Sequence, residues 1–207
     1  MIYFIQKDFL KSLDSSYLLN WMKPNKKNLR IEDSLIQYAL DNKSSFNDMS
    51  INYIEENYRK CKVLYIYPAQ PLFKWWYSSI IPFIEGLFLE NIKYLKKEKL
   101  ELQLTYHGES NFYKAHRDAE ISDLNTCSRV ITFVYYFFLE PKIFQGGNLK
   151  LYKEDESSIL IEPSSDSLVT FLSSTLHEVT PVSFYDIKLK DDFKSGRFTL
   201  NGWIHYK

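Results

Sequence analysis

Cysteine is scarce in this chain: Cys61 and Cys127 are the only two among 207 residues. Neither sits in a metal-type spacing. Two cysteines allow one bridge at most, and a reduced intracellular protein is the simpler reading. Glycine and proline are also few, at 6 and 7, which argues against disorder. No charge of one sign dominates. Lys+Arg and Asp+Glu both total 26, so no overall field draws the protein to nucleic acid. Long apolar runs are missing too. The most apolar stretch, 71–89, is broken by Lys74, Pro82, Glu85 and Gly86 and is too interrupted to span a membrane. The opening MIYFIQKDFLKSL carries Lys7, Asp8 and Lys11 without a small-residue cleavage pattern, so it does not read as a signal peptide. The expectation is a cytoplasmic protein with no nucleic-acid and no membrane partner.

Aromatic residues, by contrast, are plentiful. They make up 17% of the chain, with 16 Tyr and 15 Phe, which predicts an aromatic-rich and sheet-based core. The length fits one domain over 1–207. Ile2–Ile5 reads as a short strand. A helix capped at Asp14 or Ser15 follows, through Tyr17, Leu18, Trp21 and Met22. Ile31, Leu35, Ile36 and Ala39 recur at helical spacing. Residues 42–50 are loop by composition, and Lys62–Tyr67 is a strand stopped by Pro68. A long helix is expected over 70–97, either kinked at Pro82 or divided into two near Ser79. Lys93, Lys96, Lys97 and Lys99 would end it, where cations complement the helix dipole.

From Leu100 the texture changes to strands. Leu100–Tyr106 alternates apolar and polar residues. Asn111–Asp118 is its expected partner across the turn His107–Ser110. Further strands are expected at 129–139, 148–152 after Gly146-Gly147, 159–161, 167–172, 179–183 and 197–205. Short strands with polar turns suggest an antiparallel sandwich or barrel. The predicted class is α+β, with a helical support layer over 1–99 and a β-barrel core over 100–207.

Chemistry centres on His116-Arg117-Asp118. On an extended strand His116 and Asp118 point to the same face. One further His would complete the two-His, one-carboxylate facial triad of non-haem Fe(II) oxygenases. Four His exist: His107, His116, His177 and His205. His177 lies at a strand junction in Ser174–Pro181, well placed for a barrel mouth. His107 in a turn and His205 near the C-terminus are poorer candidates. His-X-Asp alone arises by chance, and a lone strand His is more often structural than a ligand. An Fe(II) site that activates O2 also needs two electrons, which a 2-oxo acid supplies by decarboxylating. Its far carboxylate calls for a buried Arg. Arg197 opens the final strand with Thr199 on the same side; the alternative is a strand-edge charge.

These motifs together resemble the prolyl-hydroxylase-like family of 2-oxoglutarate- and Fe(II)-dependent dioxygenases. The resemblance runs through Tyr106, Tyr113-X-X-His116-X-Asp118, Arg129–Tyr136, Gly146–Leu149, His177–Pro181 and Arg197–Trp203, in the family's order. It implies a double-stranded β-helix, or jelly roll, backed by helices. It implies Fe(II) on His116, Asp118 and His177. It also implies 2-oxoglutarate held by Arg197 and Tyr136, with Tyr106 lining the pocket and Thr199 assisting. O2 is the other substrate, with ascorbate as an auxiliary. Gly146-Gly147 would turn a hairpin close to the site. The interval Val182–Gly196 is longer than in many members and looks like an insertion, either a substrate lid or a solvated hairpin. Asp118 disfavours the halogenases, which lack that carboxylate. Trp203 stands where nucleic-acid demethylases carry a second Arg. The expected reaction is hydroxylation of an amino-acid side chain, with proline in a peptide or protein favoured. The alternatives are a free amino acid or small metabolite as substrate, a cupin-like enzyme that does not use 2-oxoglutarate, or a non-catalytic β-barrel binding module with a vestigial metal site.

Overall fold

A computed structural model of the chain describes residues 2–12, 30–49, 58–87, 95–120 and 122–206, without the side chains of 95–98. The expected helix through Tyr17 and Met22 lies outside the described residues.

The last strand, Arg197–Tyr206 (β14), sets the architecture. Phe198, Leu200 and Ile204 join the core on one side, while Arg197, Thr199, Asn201 and Trp203 line a cavity on the other. Such a two-faced strand belongs at the centre of a sheet. It is flanked by Leu95–His107 (β5) and Arg129–Phe137 (β7). Outside these lie Tyr3–Lys7 (β1), Asn47–Asp48 (β2), Lys62–Tyr65 (β4) and Ser167–Leu172 (β11). The seven strands run β1-β11-β7-β14-β5-β4-β2, every pairing antiparallel. A second sheet holds Arg59–Lys60 (β3), Phe112–His116 (β6), Leu149–Tyr152 (β9), Ser158–Ile161 (β10) and His177–Val179 (β12), in the order β10-β9-β12-β6-β3. Phe144–Gly146 (β8) and Val182–Phe184 (β13) pair with each other.

Helices cover one face of the larger sheet. Ile31–Asp41 (α2, after the short turn Phe9–Ser12, α1) buries Leu35, Ile36 and Ala39. Pro71–Leu87 (α3) buries Leu72, Trp75, Trp76, Ile80 and Ile84 at helical spacing. Pro is favoured at a helix's first position, which suits Pro71. Pro82 sits inside α3; it and Ser78, whose carbonyl it deprives of a partner, both face solvent, where water serves that carbonyl. One helix therefore runs past Ser79 and is described to Leu87, and from Leu95 the chain is β5. The expected extension to 97 is incorrect: Lys96 and Lys97 are strand residues, and Lys93 lies outside the described residues. The Trp-rich segment is core, as helical spacing predicts.

Two more expectations change. β5 and β6 do not form a hairpin. β5 pairs with β14 and β4, and β6 pairs with β12 and β3. The turn at 108–111, where Ser110 takes φ 58°, carries the chain from one sheet to the other. Likewise β8, which ends at Gly146, and β9 do not pair with each other, so Gly146-Gly147 turns no hairpin. The first half also does more than support, since β1–β4 enter the sheets.

In the segment 182–196, Val182 and Phe184 pack in the second apolar cluster with Phe144 and Leu149, and only its end returns to the helical core. Its two short 3-10 turns are capped by Asp186 and Asp192. Phe193 is buried, its ring stacked 4.2 Å from that of Tyr106 and packed against Phe46 and Phe198. None of its residues lines the cavity.

Candidate metal centre

The cavity, about 160 Å³, opens between the two sheets. His116 ends β6 and His177 begins β12, and the two are paired across the strands. That register brings the rings together, with centroids 4.2 Å apart. Asp118 follows β6, pinned because its backbone N–H and that of Ala119 both donate to the Ser173 carbonyl at 3.0 Å. Its carboxylate oxygens lie 3.6 Å from His116 Nε2 and 3.4 Å from His177 Nε2. One donor atom from each residue falls within 4.8 Å of the others.

The surroundings aim these donors. His116 Nδ1 is 2.8 Å from the Lys114 carbonyl, and His177 Nδ1 is 2.9 Å from the Thr175 carbonyl. A ring N–H donated to each carbonyl leaves both Nε2 lone pairs pointing at the cluster. Thr132 Oγ1 donates to Asp118 Oδ2 at 2.8 Å and lies 3.0 Å from Ser173 Oγ. Burial lowers the His177 pKa to about 4 against the opposing pull of Asp118. Burial also works against the Asp118 carboxylate, but His177 and His116 outweigh it and hold the group below the usual carboxylate range. At neutral pH the set is therefore an ionised carboxylate with a neutral His177. That donor set suits a divalent metal with positions left open for further ligands.

At the other part of the cavity, Arg197 is 1% exposed and donates from Nη1 to His107 Nδ1 at 3.2 Å. Its guanidinium lies 4.9 Å from the centre of the Tyr136 ring. Among the described residues, Arg197 Nε, His107 Nε2, the Tyr136 hydroxyl and Thr199 Oγ1 are buried and find no hydrogen-bond partner. A buried cation with its own Nε unpaired and three further unpaired polar atoms around it costs stability unless an anionic acceptor fills the space. The cradle thus fits a carboxylate. Gly147 makes room for it: at φ +61°, a Cβ there would lie 2.6 Å from Arg197 Cδ.

The structure brings His116, Asp118, His177, Arg197, Thr199 and Tyr136 to this one interior. It does not bring Tyr106. On β5 the residues Gln103, Thr105 and His107 face the cavity, so Tyr106 points the opposite way, into the helical core with Leu102 and Leu104. Its phenol rests on Phe193 and Phe198, and burial pushes its pKa up to about 12. His107 is the residue that sequence reasoning set aside. Burial, then Arg197 and Arg59, drive its pKa well below the usual value, which makes it a neutral donor at Nε2. The period-two alternation of β5 was the signal that separates the two. His205, the fourth histidine, is tied to Ser128 and Glu101.

The profile of the 2OG-Fe(II) oxygenase superfamily matches residues 102–205, which span both halves of this cavity. The chain belongs to the 2OG-Fe(II) oxygenase superfamily. Within it, the chain is 32% identical over 195 residues to an uncharacterized PKHD-type hydroxylase of Synechocystis, covering 84% of this chain and 58% of that protein. The chain thus spans little more than half the length of that relative. Its fold is similar to that of a Pseudomonas putida prolyl-4-hydroxylase (TM-score 0.68, 19% identity, 99% of this chain and 92% of that one). It is also similar to a Trichoplax adhaerens prolyl hydroxylase solved with a hypoxia-inducible-factor peptide fragment (TM-score 0.66, 19% identity, 98% and 83%). Among the described residues no helix is long and apolar enough to cross a membrane.

Proposed function

We propose that this oxygenase-superfamily chain is a 2-oxoglutarate- and Fe(II)-dependent hydroxylase of an amino-acid side chain, with proline in a peptide or protein the favoured substrate. The observation that carries the reading is the pairing of two features in one cavity: three donors converging from His116, Asp118 and His177, and a cradle of unpartnered polar groups around the Arg197 cation. Fe(II), with 2-oxoglutarate and O2, supplies the oxidation of a C–H bond, and 2-oxoglutarate leaves as succinate and CO2. The chain's own residues do the rest. His116 and His177 present Nε2, each oriented by a backbone carbonyl. Asp118 presents an ionised oxygen, steadied by Thr132. Arg197, His107, Tyr136 and Thr199 hold the far carboxylate of 2-oxoglutarate, and the sheets around them exclude water.

The peptide reading draws on the Trichoplax neighbour, whose structure includes a peptide fragment. The same reading takes 1–207 as one domain and the two facing sheets as the halves of a double-stranded β-helix. The three converging donors and the buried, unpartnered polar atoms around Arg197 weigh against a vestigial binding module.

Succinate release from 2-oxoglutarate under O2, followed for the wild type and for Asp118→Ala and His177→Ala, tests the reaction. Release by the wild type and its loss in both variants is expected; turnover retained by either variant contradicts it. A panel of peptides and amino acids, read by mass for the gain of one oxygen atom, then identifies the substrate.

A further inference from the structure

Among the described residues, the cavity wall carries one cation that neither the proposed reaction nor a carboxylate engages. Arg59 in β3 pairs with Tyr113 of β6 and lines the cavity beside His116 and His107. Its Nε donates to Cys61 Sγ at 3.0 Å. Its guanidinium lies 4.4 Å from the centre of the Tyr113 ring, and that ring stacks 3.5 Å from the His116 imidazole. The cation is therefore one aromatic ring away from a metal-facing histidine.

Nothing described in the cavity neutralises it. Asp118 is the only carboxylate among the described lining residues, and it faces the two histidines. Arg129, also on the wall, is paired with Glu101. Burial pushes the Cys61 thiol up, so it stays uncharged beside Arg59. Arg59 is half-buried; arginine does not escape by losing its proton, and a cation partly withdrawn from water without an ionised partner is costly. With the site loaded as proposed, the charges on Fe(II) and Arg197 are balanced by Asp118 and the two carboxylates of 2-oxoglutarate. Arg59 remains. With Nε held by Cys61, its two Nη groups are left to grip a planar anion with both arms.

We propose that Arg59 reads the substrate, pairing with a carboxylate on the molecule being oxidised. This rests on the 2-oxoglutarate/Fe(II) reading of the same cavity. The carboxylate comes either from a free amino acid or from an Asp or Glu side chain beside the oxidised residue in a peptide.

The test is calorimetric titration of protein loaded with Mn(II) and the inert cosubstrate analogue N-oxalylglycine. One arm compares free L-amino acids with their amides; the other compares blocked dipeptides X-Asp with X-Asn. In at least one arm the acid should bind tighter by on the order of tenfold or more. That preference should vanish in Arg59→Gln and survive in Arg59→Lys, with 2-oxoglutarate affinity the same in all three proteins. The arm that responds names the source of the carboxylate. Acids and neutral partners that bind alike, or not at all, overturn the proposal, and this comparison needs only wild-type protein. So does a preference that persists in Arg59→Gln. Loss of 2-oxoglutarate affinity in that variant overturns it too, because Arg59 would then be a second anchor of the cosubstrate. Wild-type protein that takes up neither metal nor 2-oxoglutarate fails the parent reading, and this inference with it.

Discussion

Arg197 and His107 face each other across β14 and β5, and the guanidinium donates from Nη1 to His107 Nδ1 at 3.2 Å. The bond fixes the tautomer. With Nδ1 accepting and the ring neutral, the proton sits on Nε2, which is buried and unpartnered. One arginine thus offers its own N–H groups to the cavity and turns a histidine into a further donor.

His107→Ala removes that donor and leaves Arg197 without its own acceptor. Affinity for 2-oxoglutarate, measured on Mn(II)-loaded protein, should fall on the order of tenfold. His107→Gln should keep part of it. Unchanged affinity in both variants removes His107 from the cradle.

Tyr106 gives the opposite expectation. Tyr106→Phe should leave 2-oxoglutarate affinity unaltered, since the phenol lies in the helical core. Tyr106→Ala should cost about 3–5 kcal/mol in denaturant unfolding, as expected for emptying a buried aromatic site. A loss of cosubstrate affinity in Tyr106→Phe would return the residue to the pocket.

Gly147→Ala tests the close approach to Arg197. The left-handed backbone alone disfavours a side chain by about 1–2 kcal/mol, and the added methyl would press on Arg197 Cδ. Both a lower melting temperature and weaker 2-oxoglutarate binding are expected.

Glu101 predicts a pH dependence of stability. Burial raises its pKa, but hydrogen bonds from His205 at 2.6 Å and Arg129 at 2.5 Å prevail and lower it from 4.5 to about 2. A carboxylate whose folded pKa is depressed contributes stability above its unfolded pKa and loses it as pH falls through the folded one. The stability gap between wild type and Glu101→Gln should therefore be full at neutral pH and shrink between pH 4.5 and about 2. A gap that stays constant over that window contradicts the assignment.

Much of the site was legible in the chain. His116 and Asp118 two apart, with His177 at a strand junction, were recoverable because a metal demands particular donors at particular spacings. Tyr106 was not, because positional likeness to a family outweighed the alternation that puts it with Leu102 and Leu104. The composition of 107–110 suggests a turn starting at His107, yet β5 runs through that residue. The partners of β6 were hidden for another reason. Its neighbours β3 and β12 are far away in the sequence, and periodicity reports which face a strand buries, not which strand lies beside it. Arg59 was silent for the same cause, since only the pairing of β3 with β6 brings it to the cavity. Past Leu87 the apolar residues at helical spacing suggested more helix, but by Leu95 the chain is already the strand that pairs with β14.

The central claim is that His116, Asp118 and His177 form one metal site, and the most direct measurement is the iron content of protein reconstituted anaerobically with Fe(II) and then desalted. The wild type should retain about one iron per chain, and Asp118→Ala and His177→Ala almost none. A wild type that retains no iron, or variants that retain as much as the wild type, would contradict it.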